Sequence, residues 1–201
     1  MKTNFLCRAL MMLLCFSCIM GCSKDSIDPN SFERLVSIHQ GEYKLEAVHW
    51  SGLAVDFDND GFARWELLDT EMKNTPGYFP YNHGAMVEEE LHEKLWGTHP
   101  YMNVLARIPY PYYESTDEGY KVKYIVYLPV SIQMVYYGEL SSSIINNLGT
   151  QGEKDIFMSG VEEIQITEFL PDSFTIRVRC TMYAISQEKT TNYMYYKYRK
   201  I

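Results

Sequence analysis

The chain is short of the features that usually declare a function. It has no excess of basic residues: 18 lysines and arginines stand against 26 acids, a formal net charge of −8. An acidic body disfavours nucleic acid and electrostatic docking on anionic lipid, both of which need clustered cations. Beyond residue 20 no apolar run approaches the roughly 18 residues of a membrane-spanning helix. Cysteine is nearly absent from the body of the chain, where Cys180 stands alone past Cys22. There is no internal repeat and no low-complexity tract. The nucleophile elbow G-x-S-x-G is missing. The acidic run Glu88-Glu89-Glu90-Leu91-His92-Glu93, followed by His99, falls short of H-E-x-x-H because Trp96 holds the place of the second histidine. That run reads first as a solvated acidic edge that deters strand pairing, ahead of a metal site.

What is present begins at the N-terminus. Lys2 and Arg8 flank a short basic head, Ala9 to Met20 is almost wholly apolar, and Gly21-Cys22 follows. This is the build of a secretory signal. Ile19-Met20-Gly21-Cys22 resembles the lipobox of bacterial lipoproteins. The resemblance implies a lipidated Cys22, cleavage just before it, and anchoring by acyl chains rather than by protein. One acyl chain binds a membrane only marginally, at about 0.8 kcal/mol per buried methylene, so two or three would be the anchor. The competing reading is an ordinary signal cut near Gly21, with Cys22 a plain thiol. Ser23-Lys24-Asp25-Ser26 resembles the surface-export signal of lipoproteins in some anaerobic Gram-negative lineages, which implies the outer membrane and its outer leaflet. A plain solvated tether is the alternative. The expected organisation is a signal over 1–21, a tether over 22–31 and one domain over 32–201. Cys15-Phe16-Ser17-Cys18 leaves with the signal, so its C-x-x-C spacing carries no redox or zinc chemistry. With lipid on Cys22, Cys180 has no intramolecular partner.

The domain reads as β. Pro29 to Gln40 is the exception: Asn30 or Ser31 can cap a helix on which Phe32, Leu35, Val36 and His39 share a face. Period-two segments follow over 41–50, 85–96, 101–110, 119–130, 131–140, 161–170, 173–185 and 191–199. The strongest alternation places Phe174, Ile176, Val178, Cys180, Met182 and Ala184 on a dry face, with Thr175, Arg177, Arg179 and Thr181 outside. Cys180 therefore reads as a small buried hydrophobe rather than a nucleophile. A second short helix between Glu66 and Asn74 would plug one end. With few helices to cover the dry faces, about eight antiparallel strands must curl into a barrel or pair with a second sheet.

A short helix, a strand and a run of antiparallel strands look like the lipocalin architecture. The segment from Tyr43 to Gly61 also resembles the first strand and following loop of lipocalin-like bacterial lipoproteins. Gly41-Glu42-Tyr43 stands where lipocalins have G-x-W, which keeps an aromatic plug while changing its identity. The resemblance implies an all-β, antiparallel, eight-stranded lipocalin-like barrel with one or two short helices.

The sharpest local motif is Asp56-Phe57-Asp58-Asn59-Asp60-Gly61. Alternate carboxylates before a glycine match the first half of an EF-hand loop. The twelfth position is Leu67 rather than Glu, and a strand precedes the motif; both features disfavour a regular EF-hand. A shorter calcium loop over Asp56, Asp58 and Asp60, closed by Glu66 or by the Phe62 backbone oxygen, is one expectation. The other is an acidic turn in which Asp58 or Asp60 holds backbone amides and Gly61 is left-handed. No cofactor is required by either. The clusters Tyr110-Pro111-Tyr112-Tyr113 and Tyr193 to Tyr198 read mainly as barrel wall, and secondarily as a sugar-stacking surface.

Three functions follow in order. The first is an outer-membrane lipoprotein, facing the surface or the periplasm, that holds a small apolar or amphipathic ligand in its barrel. The second is a non-catalytic accessory protein whose loops bind a partner protein or a glycan. An enzyme comes third and would need convergent carboxylates or histidines in a cleft.

Overall fold

Glycine-41 sets the boundary between the helix and the first strand. The computed structural model describes residues 29–79, 84–89, 100–136, 139–147 and 160–201. The expected signal, Cys22, the tether up to residue 28 and the run from Glu90 to His99 lie outside them. Helix α1 spans Pro29–His39, opening on a proline whose missing N–H would go unused in the first turn. It buries Phe32, Val36 and His39. Gly41 then takes φ +143°, and a Cβ there would meet Lys200 Cε at 2.9 Å.

The strands are β1 (Gly41–Trp50), β2 (Gly84–Glu89), β3 (Tyr101–Thr116), β4 (Gly119–Tyr136), β5 (Leu140–Asn147), β6 (Val161–Leu170), β7 (Ser173–Tyr183) and β8 (Lys189–Lys200). They form one antiparallel sheet in the order β5-β4-β3-β2-β1-β8-β7-β6. Every neighbour in that order except the β1–β8 pair is a neighbour in sequence, so the sheet is an up-and-down meander that wraps nearly into a barrel. The expectation of an all-β antiparallel fold of barrel type is met at this level.

Several details depart from the sequence reading. The segments expected over 119–130 and 131–140 are one long strand, β4, so eight expected segments fold as seven strands. The further member of the sheet, β5, was not foreseen. The barrel is also not closed: seven ladders link the strands, and the eighth, between β5 and β6, is missing among the described residues. The expected helix over 66–74 shrinks to a 3-10 turn at Met72–Asn74. Of the acidic run expected at a sheet edge, Glu88 and Glu89 end β2, which lies between β1 and β3, and the rest falls outside the described residues.

Strand β2 is short, and that shapes the rest. Its ladder with β1 stops at Lys44 and its ladder with β3 stops at Ala106. Beyond Ala106, β3 has no partner on this edge among the described residues, and there stand Pro109 and Pro111, whose rings would break a central ladder. The free carbonyls are taken by tyrosines from across the barrel: Tyr198 Oη donates to Arg107 O at 3.1 Å and Tyr196 Oη to Pro109 O at 2.9 Å. Both side chains are fully buried beside Trp50, Phe174 and Tyr43. Burial lifts both phenols well above their ordinary pKa, so they remain donors at any physiological pH. Tyr43 fills the aromatic-plug position under α1, with its hydroxyl donating to His39 O at 2.6 Å.

The free edge of β1 is met by the loop 51–79. Trp50 N donates to Trp65 O and Leu67 N to Val48 O, each at 2.8 Å. The loop then reaches β4, where Ile125 N donates to Pro76 O at 2.8 Å. Gly77 makes that approach, at φ +81°; a Cβ there would lie 2.7 Å from Ile125 O. Val55, Phe57, Leu67, Leu68 and Met72 go into the core along the way. The segment between Glu66 and Asn74 thus fills the side left open by the short β2.

Candidate functional site: the acidic and aromatic loop

Within the loop, Val55 and Arg64 exchange backbone hydrogen bonds of 3.0 and 2.8 Å and close a small hairpin. Its tip needs left-handed backbone at Asn59 (φ 59°) and Gly61 (φ 88°). Asparagine and glycine are the residues that adopt it most readily. The three aspartates converge there, with one oxygen from each within 4.8 Å of the others.

Every carboxylate oxygen of the three is already engaged. Asp56 accepts from Asp60 N at 3.1 Å and from Gly61 N at 3.0 Å. Asp58 accepts from Asp60 N at 3.2 Å and from Asn74 Nδ2 at 2.9 Å. Asp60 accepts from Phe62 N at 2.7 Å and from Arg64 Nη2 at 2.9 Å. The Arg64 guanidinium, then the Phe62 amide, hold the Asp60 carboxyl below the usual carboxylate range. This is the geometry of the acidic-turn reading, with Gly61 left-handed as that reading requires. A guanidinium supplies positive charge at the place where the other reading put calcium.

Glu66 does not join the aspartates. It lies across the β1 edge, exposed, with Oε1 2.6 Å from His49 Nδ1. The carboxylate that completes the cluster is Glu71, fully buried. It accepts from Phe57 N at 2.7 Å and from Arg64 Nη1. Arg64 therefore bridges Asp60 to Glu71, and these two bonds raise its already high pKa. Neither Arg64 nor Glu71 could be picked out from spacing, because their pairing depends on the hairpin bringing distant turns together.

The outer side of the loop is aromatic. Phe62 and Trp65 are 68% and 53% exposed, and Leu53 and Phe79 are exposed as well. Trp65 Nε1 donates to Gly52 O at 3.0 Å, which fixes the indole. The Arg64 guanidinium carbon lies 5.9 Å from the Phe62 ring centre. Tyr127 Oη accepts from Phe79 N at 2.7 Å and donates to Phe79 O at 3.1 Å, tying the loop's end to β4. No local pattern in the sequence marks Trp65, because its exposure comes from the fold.

The tyrosine clusters singled out in the sequence behave mostly as wall. Tyr110, Tyr196 and Tyr198 are buried. Tyr112 stacks on Tyr124 at 4.8 Å, and the Arg177 guanidinium lies 4.5 Å from the Tyr193 ring. Cys180 is fully buried, and burial pushes its thiol pKa up, away from nucleophilic use. No helix among the described residues is long and apolar enough to cross a membrane. Comparisons with protein-family models, with curated proteins and with solved structures each found no match.

Proposed function

We propose that this protein is a lipid-anchored, non-catalytic accessory protein of a Gram-negative outer membrane that binds a partner through the loop 51–79. The anchor is the acylated Cys22 of the lipobox-like start. The observation that carries the reading is a fixed, half-exposed Trp65 and an exposed Phe62 on a loop braced by buried Glu71. Exposed aromatics on a rigid scaffold are more telling than scattered surface hydrophobes. Of the two partner classes, the surroundings favour a glycan: an indole fixed at the surface by its own hydrogen bond stacks on a sugar face. Titration with a panel of soluble oligosaccharides tests this. Trp65→Ala is expected to weaken binding by about tenfold or more, with the melting temperature little changed. Saccharide binding that ignores the substitution contradicts the reading, and so does a panel in which no sugar binds.

Calcium at Asp56, Asp58 and Asp60 is a subordinate proposal. An ion there must displace Arg64 from Asp60 and several amides from Asp56 and Asp58. The loop's own hydrogen bonds therefore favour no change in melting temperature between about millimolar calcium and chelator; a rise with calcium would establish the ion.

A second reading has one observation in its favour. The up-and-down order of the sheet is that of lipocalin-like barrels, which supports a small apolar or amphipathic ligand held inside. Against it stand Trp50, Phe174, Tyr196 and Tyr198, which fill the described interior between β8 and β3.

A further inference from the structure

Helix α1 and the aromatic hairpin stand at opposite ends of the barrel. The Phe32 ring of α1 lies 5.8 Å from that of Tyr136, the last residue of β4, and His39 stacks on Phe169, next to the last residue of β6. Helix α1 therefore crosses the end at which β1 begins and β8 finishes. At the other end, Trp65 O accepts from the amide of Trp50, the last residue of β1, and Asn59 Nδ2 donates to Val122 O at 3.2 Å, near the start of β4.

The helix end has its own exposed apolar corner. Lys200 N donates to Asp172 O at 2.8 Å and Ile201 N to Glu42 O at 3.1 Å, which sets the β6–β7 turn beside the finish of β8. Leu170 and Ile201 are both exposed there. The outer side of α1 carries Glu33, Arg34 and Ser37, one charge of each sign. The opposite end is acidic: from Val55 to Glu66, four carboxylates stand against Arg64 alone. An anionic bilayer surface repels such a segment.

Reach points the same way. Six residues separate Cys22 from Pro29. Fully extended, that stretch spans about 25 Å. Strand β1 is about 30 Å long, or roughly 23 Å along the axis of a barrel whose strands tilt by about 40°. A helix lying across the end adds about 10 Å. With the aromatic end on the bilayer, Pro29 would stand farther off than the tether extends.

We infer that the helix end of the barrel rests on a lipid bilayer, with Leu170 and Ile201 against the headgroups, and that Phe62 and Trp65 face away from it. The inference rests on the acylated Cys22 proposed above. It adds that the partner of the aromatic face comes from the aqueous side, not from the membrane that carries the protein.

Hydroxyl-radical footprinting tests it, on the acylated protein in vesicles of phosphatidylethanolamine and phosphatidylglycerol and on Cys22→Ser in solution. Oxidation of Leu170 and Ile201 is expected to fall by about threefold or more on the vesicles, while Phe62 and Trp65 react as they do in solution. Protection of Phe62 or Trp65 overturns the inference, and so does a vesicle-bound chain in which Leu170 and Ile201 stay fully reactive. Failure of the anchor reading is seen separately, as no acyl mass on Cys22 or protein left in the supernatant, and it takes this orientation with it.

Discussion

At the scale of single residues, Glu71 has the largest structural role in the candidate loop. It is buried, and it answers both the Phe57 amide and Arg64. Its removal leaves a buried N–H without an acceptor and frees the cation that closes the aspartate turn. Glu71→Ala is expected to destabilise the fold by about 2–4 kcal/mol, with Glu71→Gln roughly half as harmful. Urea unfolding reads both, and a loss near zero for the alanine variant would mean that the loop is not braced in this way. The aspartates were legible in the sequence because alternate carboxylates before a glycine form a local pattern. Glu71 and Arg64 were not, because nothing in Leu67 to Asn74 marks a buried acid. Glu66, the nearer candidate by number, is drawn off by strand geometry: its bridge to His49 turns it to the outer face.

At the scale of elements, helix α1 is seated by one titratable side chain. His39 is buried and stacks on Phe169 at 4.3 Å, with the two rings 16° from parallel. Burial chiefly, and the Lys200 charge in addition, lower its pKa, while a backbone hydrogen bond with Leu170 works the other way. The neutral form is therefore the native one. A histidine whose pKa is depressed on folding contributes stability that is complete above the unfolded value of about 6.5 and is lost as the pH falls through the lower folded value. Stability measured by denaturant should accordingly decline below about pH 6.5, and His39→Phe should flatten that part of the profile. An unchanged slope in the variant would assign it to other groups.

The strands show which elements a sequence can reveal. β1 and β6 were read at both ends because clear alternation stops at Gly41, Trp50 and the Pro171-Asp172 turn. β4 was read as two pieces joined at Val130, yet its buried positions Leu128, Val130, Ile132 and Met134 alternate straight through that join. The ladder with β3 shifts between Tyr112 and Tyr113, so the residue buried after Val122 is Ile125 rather than Tyr124. β5 was missed because Leu-Ser-Ser-Ser carries little strand preference of its own. It pairs with the other edge of β4, along Val130 to Tyr136, a stretch that β3 also pairs from its own side.

At the scale of the whole molecule, one sheet nearly closes upon itself, and a short second strand decides what happens elsewhere. The opening it leaves is filled by the loop 51–79, which thereby becomes rigid enough to display Phe62 and Trp65. The same shortness frees the β3 carbonyls that Tyr196 and Tyr198 bind across the interior. Scaffold and exposed aromatic face are two consequences of one truncated ladder, and the proposed function puts binding on that outer face rather than inside the barrel.

That division is tested most directly by native mass spectrometry of the protein extracted from its own membrane. The account predicts a chain that starts at lipidated Cys22 and retains no neutral apolar molecule in its barrel. A neutral apolar molecule retained one-to-one by the folded chain, and lost when Tyr196 is replaced, would contradict it.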